Sequence, residues 1–452
     1  MASQRGVRCV LIANRGEIAV RISRACKEMG IKTIAVYSEA DRDSMHVRTA
    51  DRAVCIGSAP PAQSYLDMEK IVAAAVAFGA DAIHPGYGFL SEKASFAELC
   101  GKAGIIFVGP SSEVISLMGD KIAARRFAKR AGVPTTPGSD GAISDPDEAQ
   151  EIANQIGFPV LLKAAAGGGG RGMRIVQRRE DLKRMFLEAG SEAGAAFGDP
   201  SVYIERYLTN VRHVEIQVLG DGEHVIHLGE RDCSTQRRNQ KLVEEAPSPA
   251  LDSGLRERIA GAAVRLCSEA RYKNDGTVEF VFDQDSGEFY FMEMNTRIQV
   301  EHPVTEMVTG LDLVKEQLRI ASGDALELRQ SQLEIRGHAI ECRINAEDHE
   351  RGFAPSPGRI SRFVCPGGPG VRVDTHIEAG YTVPPFYDSL LAKIVCWGRD
   401  RHEAIQRMLR ALDEMRIEGI KTTIPFHKAL LMHEAFRAGS VNTRFVHDVL
   451  GY

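Results

Sequence analysis

The sequence predicts an α/β protein of several domains, opening on a parallel sheet with helices on its faces and closing on a mixed α and β segment. Three observations predict it. Strand and helix alternate through the first hundred or so residues, a glycine run at 167–170 stands between two strands, and two acid-bearing strands pair around Gly287. A chain of 452 residues is also too long for a single core.

Residues 7–13 read as a first strand, 17–29 as a helix stopped by Gly30, and 32–37 as a second strand. Residues 80–84 and 105–108 read as further strands behind helical segments, which makes the sheet parallel. Glu39 or Asp41 after the second strand raises a dinucleotide-binding reading. The turn Ala13-Asn14-Arg15-Gly16-Glu17 excludes it, because one glycine cannot supply a G-x-G-x-x-G cradle. Helix 121–131 leads to a turn-rich joint at 134–141. A second α/β segment, a strand-rich region at 202–229 and a helix at 255–271 follow.

Composition narrows the function. The net charge of −5 is modest and the charges are interspersed, so no basic stripe offers itself to nucleic acid. The longest apolar runs fall short of a membrane span, and 10–13 is too short for a signal peptide. The nine cysteines are scattered without a Cys-x-x-Cys pair, which argues against zinc and disulfides and for a reducing cytoplasm.

Two stretches carry chemistry. The strand ending Lys163-Ala164 runs into Gly167-Gly168-Gly169-Gly170-Arg171-Gly172, and 174–176 reads as the returning strand. The loop is no P-loop, since no Gly-Lys-Ser/Thr follows. Its glycines still let backbone N–H groups approach a phosphate, and Lys163 stands beside it. Further on, Glu279 lies in a strand, and 288–295 returns with Glu293 and Asn295 at its end. Two carboxylates and an amide at paired strand ends suit Mg²⁺ and phosphates. From Glu293 the polar residues alternate through Asn295, Arg297, Gln299 and Glu301. Fully extended, they would spread over about 27 Å. The strand is therefore expected to end near Asn295 and curl through 297–301.

Taken together, the chain resembles the biotin carboxylases of the ATP-grasp superfamily. The resemblance rests on Ile12-Ala13-Asn14-Arg15-Gly16-Glu17, His84-Pro85-Gly86-Tyr87-Gly88-Phe89-Leu90-Ser91-Glu92, Met118-Gly119-Asp120-Lys121 and the glycine loop. It continues through Arg212-His213-Val214-Glu215, Gln240-Lys241, Val243-Glu244-Glu245-Ala246-Pro247 and 293–304. Glu341-Cys342-Arg343-Ile344-Asn345-Ala346-Glu347-Asp348 and Tyr387-Asp388-Ser389 complete it.

The resemblance implies an ATP-grasp fold in three parts: an N-terminal α/β domain at 1–118, an ATP-binding domain at 119–330 with a mobile lid at about 135–207, and a mixed C-terminal domain at 331–452. It implies that Lys121 and Lys163 hold the nucleotide phosphates under a lid containing Gly168, Gly169 and Gly170. Glu205, Leu208, His213 and Gln236 would line the adenine and ribose. Glu279, Glu293 and Asn295 would bind Mg²⁺ or Mn²⁺. Lys241, Arg297, Gln299 and Val300 would surround bicarbonate, Glu301 would be the general base, and Arg343 and Tyr87 would face biotin. Glu301, Arg343, Lys241 and Arg297 are thus the expected catalytic set, while His84 and His213 receive no proton-transfer role. Asn239, Arg206 and Ala166 depart from the family's usual histidine, lysine and glycine near the nucleotide.

The implied reaction is ATP-dependent carboxylation of biotin by bicarbonate through carboxyphosphate. It is the first half of a biotin-dependent carboxylase, with acetyl-CoA carboxylase in fatty acid synthesis as the expected system. No Met is followed by Lys, so the biotin carrier is expected on another chain or outside this sequence, together with the carboxyltransferase. A homodimer is expected, and no nucleic acid or membrane. Another ATP-grasp ligase would leave 297–301 and Arg343 without a task. A silent ATP-binding protein would have lost a metal ligand or the base, and none is missing.

Overall fold

The computed structural model describes residues 6–164 and 173–452, so the expected lid glycines Gly168, Gly169 and Gly170, and Ala166, lie outside the described residues. The first sheet is parallel throughout, in the order Arg52–Gly57, Lys32–Ser38, Cys9–Ile12, Ala82–His84, Ile106–Phe107. Cys9–Ile12 is two residues shorter at its start and one at its end than expected, Ala82–His84 two shorter at its start and Ile106–Phe107 one at each end, whereas Lys32–Ser38 runs one residue further. Asp41 is not a ribose ligand: its carboxylate is buried against Arg15 Nε at 2.6 Å and Tyr65 Oη at 2.6 Å.

Helix Gly16–Glu28 packs between this sheet and the rest of the molecule, which is why both its faces are largely buried. Arg21 on its far face is matched by Glu306 at 2.9 Å and Asp312 at 2.7 Å. Asn14, just before the helix, donates from Nδ2 to the carbonyls of Pro85 and Tyr87, both at 2.7 Å. The Gly86-Tyr87-Gly88 turn is thereby tied to the end of the first strand. Gly86 has φ +62°, and a Cβ there would stand 3.0 Å from Asn14 Nδ2.

The frame of the molecule is an eight-stranded antiparallel sheet. Its order is Glu288–Asn295, Lys273–Asp283, Val211–Asp221, Val225–Arg237, Gln240–Ala246, His338–Asn345, Leu390–Gly398, Val371–Thr375. Pairing of Val243 with Cys342 carries the sheet across residue 330, so the C-terminal segment extends the central sheet and adds three short two-stranded sheets of its own. Helix Ser253–Glu269 covers one face through Ile259, Ala263 and Leu266, packed on Val214, Ile216 and Phe280.

A three-stranded antiparallel sheet, Met173–Val176, Val160–Ala164, Val202–Arg206, stands apart with helices Pro146–Ile156 and Leu182–Phe197 on one side. The expected strand on either side of the glycine loop is present. Among the described residues no helix is long and apolar enough to cross a membrane, and all nine cysteines are free.

Candidate active site

A cleft of about 1300 Å³ runs between the central sheet, the small sheet and the Tyr87 turn. Its floor follows from strand alternation. In antiparallel pairing Glu293 stands opposite Glu279, Glu279 opposite Glu215, and Glu215 opposite Arg231, so three carboxylates and a guanidinium form a row across four strands. The register slips by one after Glu279, and this bulge leaves Met292 on the cleft wall, 44% exposed.

Lys241 is the hub of the row. Its Nζ lies 2.6 Å from Glu215 Oε2, 2.6 Å from Glu301 Oε1 and 3.0 Å from Glu279 Oε1. Burial would lower the ammonium pKa, but the three acids outweigh it and hold the value well above that of a free lysine. Glu301 is fully buried and stands just before helix His302–Thr309 without a side-chain bond to its first turn. Burial raises its pKa, yet Lys241 and Arg343 win and keep it well below the ordinary carboxylate value. Arg343 reaches Glu301 Oε2 from Nη2 at 2.9 Å.

The strand ends at Asn295, and the curl expected through 297–301 brings its polar residues back together. Arg297 donates to Asn295 Oδ1 at 3.0 Å, Gln299 Oε1 at 2.9 Å and Glu92 Oε2 at 2.8 Å. Gln299 Nε2 reaches Glu279 Oε1 at 3.1 Å, and the buried Lys393 holds the Val300 carbonyl at 2.8 Å. The two ends of the segment, expected to serve a metal and an anion, thus share Glu279 instead of lying apart.

The acidic pair fits a hard divalent cation. Burial and then Glu279 raise the pKa of Glu293, and among the described residues no basic side chain pairs with Glu293. Asn295 donates to Glu279 from Nδ2 at 2.9 Å, while its oxygen is engaged by Arg297. His213, expected beside the nucleoside, stands with its Nε2 2.9 Å from Glu279 Oε2, at the edge of the acidic row. Burial would lower its pKa, and Glu279 raises it instead.

At the other end of the cleft Lys163 pairs with Glu205, with Arg125 at 3.7 Å from the same carboxylate. Leu208 and Gln236 line the wall. Lys121 begins helix Lys121–Arg130 and is exposed; it does not line the cleft, but its charge acts on Glu293. Asn239 completes a two-residue hairpin turn with φ +65° after Arg238 at +48°. Asn is among the few residues that tolerate this conformation. Tyr87 donates to Glu17, itself paired with Lys393 at 3.1 Å. His84 is structural: buried, held neutral with a pKa of about 3 by burial, and bonded to Gln317 and the Gly86 amide.

Several groups had no role in the sequence reading. Arg231 is fully buried and donates to Glu215 at 2.5 Å, Gln217 at 2.6 Å, Thr305 at 2.9 Å and Thr277 at 3.0 Å. Glu215, Glu92, Glu244 and Lys393 likewise complete the polar network. Glu215 was findable, because it is two residues from His213 and so shares its strand face. Arg231 and Lys393 depend on long-range register and leave no local signal.

The cleft thus gathers Glu215, Glu279, Glu293 and Glu301 around Lys241, Arg231, Arg297 and Arg343, and comparison with known proteins gives the family. Residues 6–115 match the model for the biotin carboxylase N-terminal domain, and 120–329 the ATP-binding domain of the carbamoyl-phosphate synthase L chain. Residues 341–448 match the biotin carboxylase C-terminal domain. The biotin carboxylase of Nostoc sp. is 58% identical over 97% of this chain and 98% of its own. A pyruvate carboxylase subunit of Methanothermobacter thermautotrophicus is 56% identical over 97% of this chain and 89% of its own. The biotin carboxylase domain dimer of Hydrogenobacter thermophilus 2-oxoglutarate carboxylase, solved with MgADP, ADP and bicarbonate, superposes with a TM-score of 0.92. It is 52% identical and covers 98% of each chain. The chain belongs to the biotin carboxylase family of ATP-grasp enzymes, the biotin-carboxylating part of a biotin-dependent carboxylase.

Proposed function

We propose that the chain carboxylates biotin presented by a carrier protein, using ATP and bicarbonate, as the first half-reaction of acetyl-CoA carboxylase in fatty acid synthesis. The observation that carries the reaction is the convergence of Lys241 and Arg343 on one buried carboxylate, Glu301. A base held down by two cations gains basicity when an anionic substrate draws those cations onto itself. Bicarbonate bound by Lys241, Arg297, Gln299 and the Val300 backbone does this, and Glu301 takes its proton as the oxygen attacks the γ-phosphorus. Lys163 in the cleft and Lys121 at its edge, where its charge reaches Glu293, offset charge on the phosphates, while Glu205, Leu208 and Gln236 bound the nucleoside, with His213 at the acidic end of that wall. Glu279, Glu293 and Asn295 would hold Mg²⁺ or Mn²⁺, which when bound lowers the charge on phosphate oxygens. Asn295 must then exchange Arg297 for the cation.

Carboxyphosphate breaks down to CO₂ and phosphate, phosphate removes the biotin N–H proton, the biotin nitrogen then bonds to the CO₂ carbon, and Arg343 with Tyr87 steadies the biotin oxygen and ring. The lid expected at about 135–207, to which Gly168, Gly169 and Gly170 belong, would exclude water from ATP. The parts 1–118, 119–330 and 331–452 supply the biotin side, the nucleotide site and the Arg343 side. The enzyme works as a cytoplasmic homodimer with separate carrier and carboxyltransferase partners; the dimeric Hydrogenobacter domain supports the dimer.

The test is ADP release from Mg·ATP, bicarbonate and free biotin, each omitted in turn, in wild type and Glu301→Gln. Release that needs both biotin and bicarbonate, and is lost in E301Q, supports the reaction. Release indifferent to biotin overturns it. Reconstitution with candidate carrier and transferase chains, assayed on acetyl-CoA and on pyruvate, decides the acceptor.

A further inference from the structure

Arg343 is gripped by two buried carboxylates. Its Nε donates to Glu244 Oε1 at 2.6 Å, and its Nη2 lies 2.5 Å from the same oxygen and 2.9 Å from Glu301 Oε2. Its carbonyl accepts from Thr423 Oγ1 at 3.0 Å and is 2.7 Å from His427 Nε2, which fixes the backbone.

Glu244 stands directly opposite Glu341 in the pairing of strands Gln240–Ala246 and His338–Asn345. Side chains so placed have Cβ atoms about 5 Å apart. Both residues are fully buried. Among the described residues neither oxygen of Glu341 meets a donor, and neither does Oε2 of Glu244. Leaving three buried carboxylate oxygens without donors is costly, and a single proton relieves two of them: a carboxyl on one residue donates to the carboxylate facing it.

The surrounding charges require the same. Glu244 is faced by Arg343, Glu301 and Lys241, and Glu341 by Lys393, Arg343 and Glu301; the Cys233 thiol lies within reach of Glu244's charge. Lys393 is engaged by Glu17 and the Val300 carbonyl. From helix His302–Thr309, which packs on both strands, Glu306 is committed to Arg21 and Arg372, with His302 beside it. Burial raises both carboxyls, Glu244 to about 7 against the pull of Arg343.

We infer that Glu244 and Glu341 hold one proton between them, and that this carboxyl–carboxylate pair is the positioning device that aims Arg343 at Glu301 and the cleft. The inference rests on the role proposed above for Arg343. With the proton in place Glu244 keeps one charge to hold Nε and Nη2, and Nη2 also reaches Glu301. Without it, two facing negative charges draw the guanidinium back into the sheet.

Infrared difference spectroscopy on the full chain at neutral pH tests the proton directly. A protonated-carboxyl C=O band is expected in wild type and lost in Glu341→Gln. In the same proteins, Glu244→Gln should lower biotin-dependent kcat about tenfold or more, the worth of one charged hydrogen bond. The KM for ATP should barely move. E341Q, which keeps a neutral group of the same shape, should retain turnover that Glu341→Ala loses. An unchanged band in E341Q, or wild-type turnover in E244Q, overturns the inference. A band lost in E341Q from a protein with no biotin-dependent turnover would uphold the shared proton and overturn the positioning of Arg343 for that reaction.

Discussion

Lys241 and Glu301 form a buried ion pair, Nζ to Oε1 at 2.6 Å, and the same ammonium is the shared counter-ion of Glu215 and Glu279. One cation therefore balances three carboxylates. Arg231 completes the balance from below through Glu215, and Arg343 from the side through Glu301.

Removing that cation has a predictable cost. Lys241→Met should destabilise the protein by about 3–5 kcal/mol at neutral pH, because buried carboxylates lose their partner. The sign with pH reverses. In wild type the depressed pKa of Glu301 contributes stability above the ordinary carboxyl range, lost as pH falls through the lower folded value. In K241M the stranded acids take up protons early, so the variant should gain on wild type as pH falls from about 7 to 5. Urea unfolding at both pH values measures it, and a constant gap would refute it.

Glu293 behaves in the opposite way. Burial and Glu279 raise its pKa, so its charge works against the fold at neutral pH until a cation arrives. Glu293→Gln should melt slightly higher than wild type in EDTA, yet need about tenfold or more Mg²⁺ for half-maximal ADP release. A lower melting temperature in EDTA would contradict this.

What could be read in advance divides by range. The βαβ alternation, the strand flanks of the glycine loop and the end of the strand at Asn295 are local patterns of period and composition, and all are present. The curl at 297–301 followed from reach alone. Cross-strand register has no local signature: nothing near Arg231 announces that it stands opposite Glu215, nor near Glu244 that it faces Glu341. Asp41 shows the converse, a motif-like acid after a second strand that is consumed by Arg15.

The hairpin at Arg238-Asn239 makes a third test. Both residues have positive φ, which costs a β-branched side chain about 1–2 kcal/mol and glycine almost nothing. Asn239→Gly should preserve stability, whereas Asn239→Val should lower it by that amount. Since the turn lines the cleft, N239V should also raise the KM for ATP several-fold with little change in kcat. Equal stability of the two variants would show that the turn is free to change type.

The Arg15–Asp41 pair supplies the last prediction, at the wall of the cleft between Tyr65 and Tyr387. Arg15 lies bidentate on Asp41 and 4.2 Å over the Tyr387 ring, so it joins the N-terminal sheet to the C-terminal segment. Burial opposes ionisation of Asp41, but the bond from Arg15 prevails and holds its pKa at about 2. A carboxylate depressed on folding contributes stability above its unfolded value of about 3.8, lost as pH falls toward 2. The shift corresponds to about 2 kcal/mol. Asp41→Asn should therefore be less stable than wild type at neutral pH, by at least that amount because Arg15 is left buried and unpaired. The gap in urea midpoint should close as pH falls below about 4, since wild type then loses what the variant never had. A gap that stays constant down to pH of about 3 would mean that the Tyr387 and Tyr381 contacts, not the charge of Asp41, hold Arg15 in place.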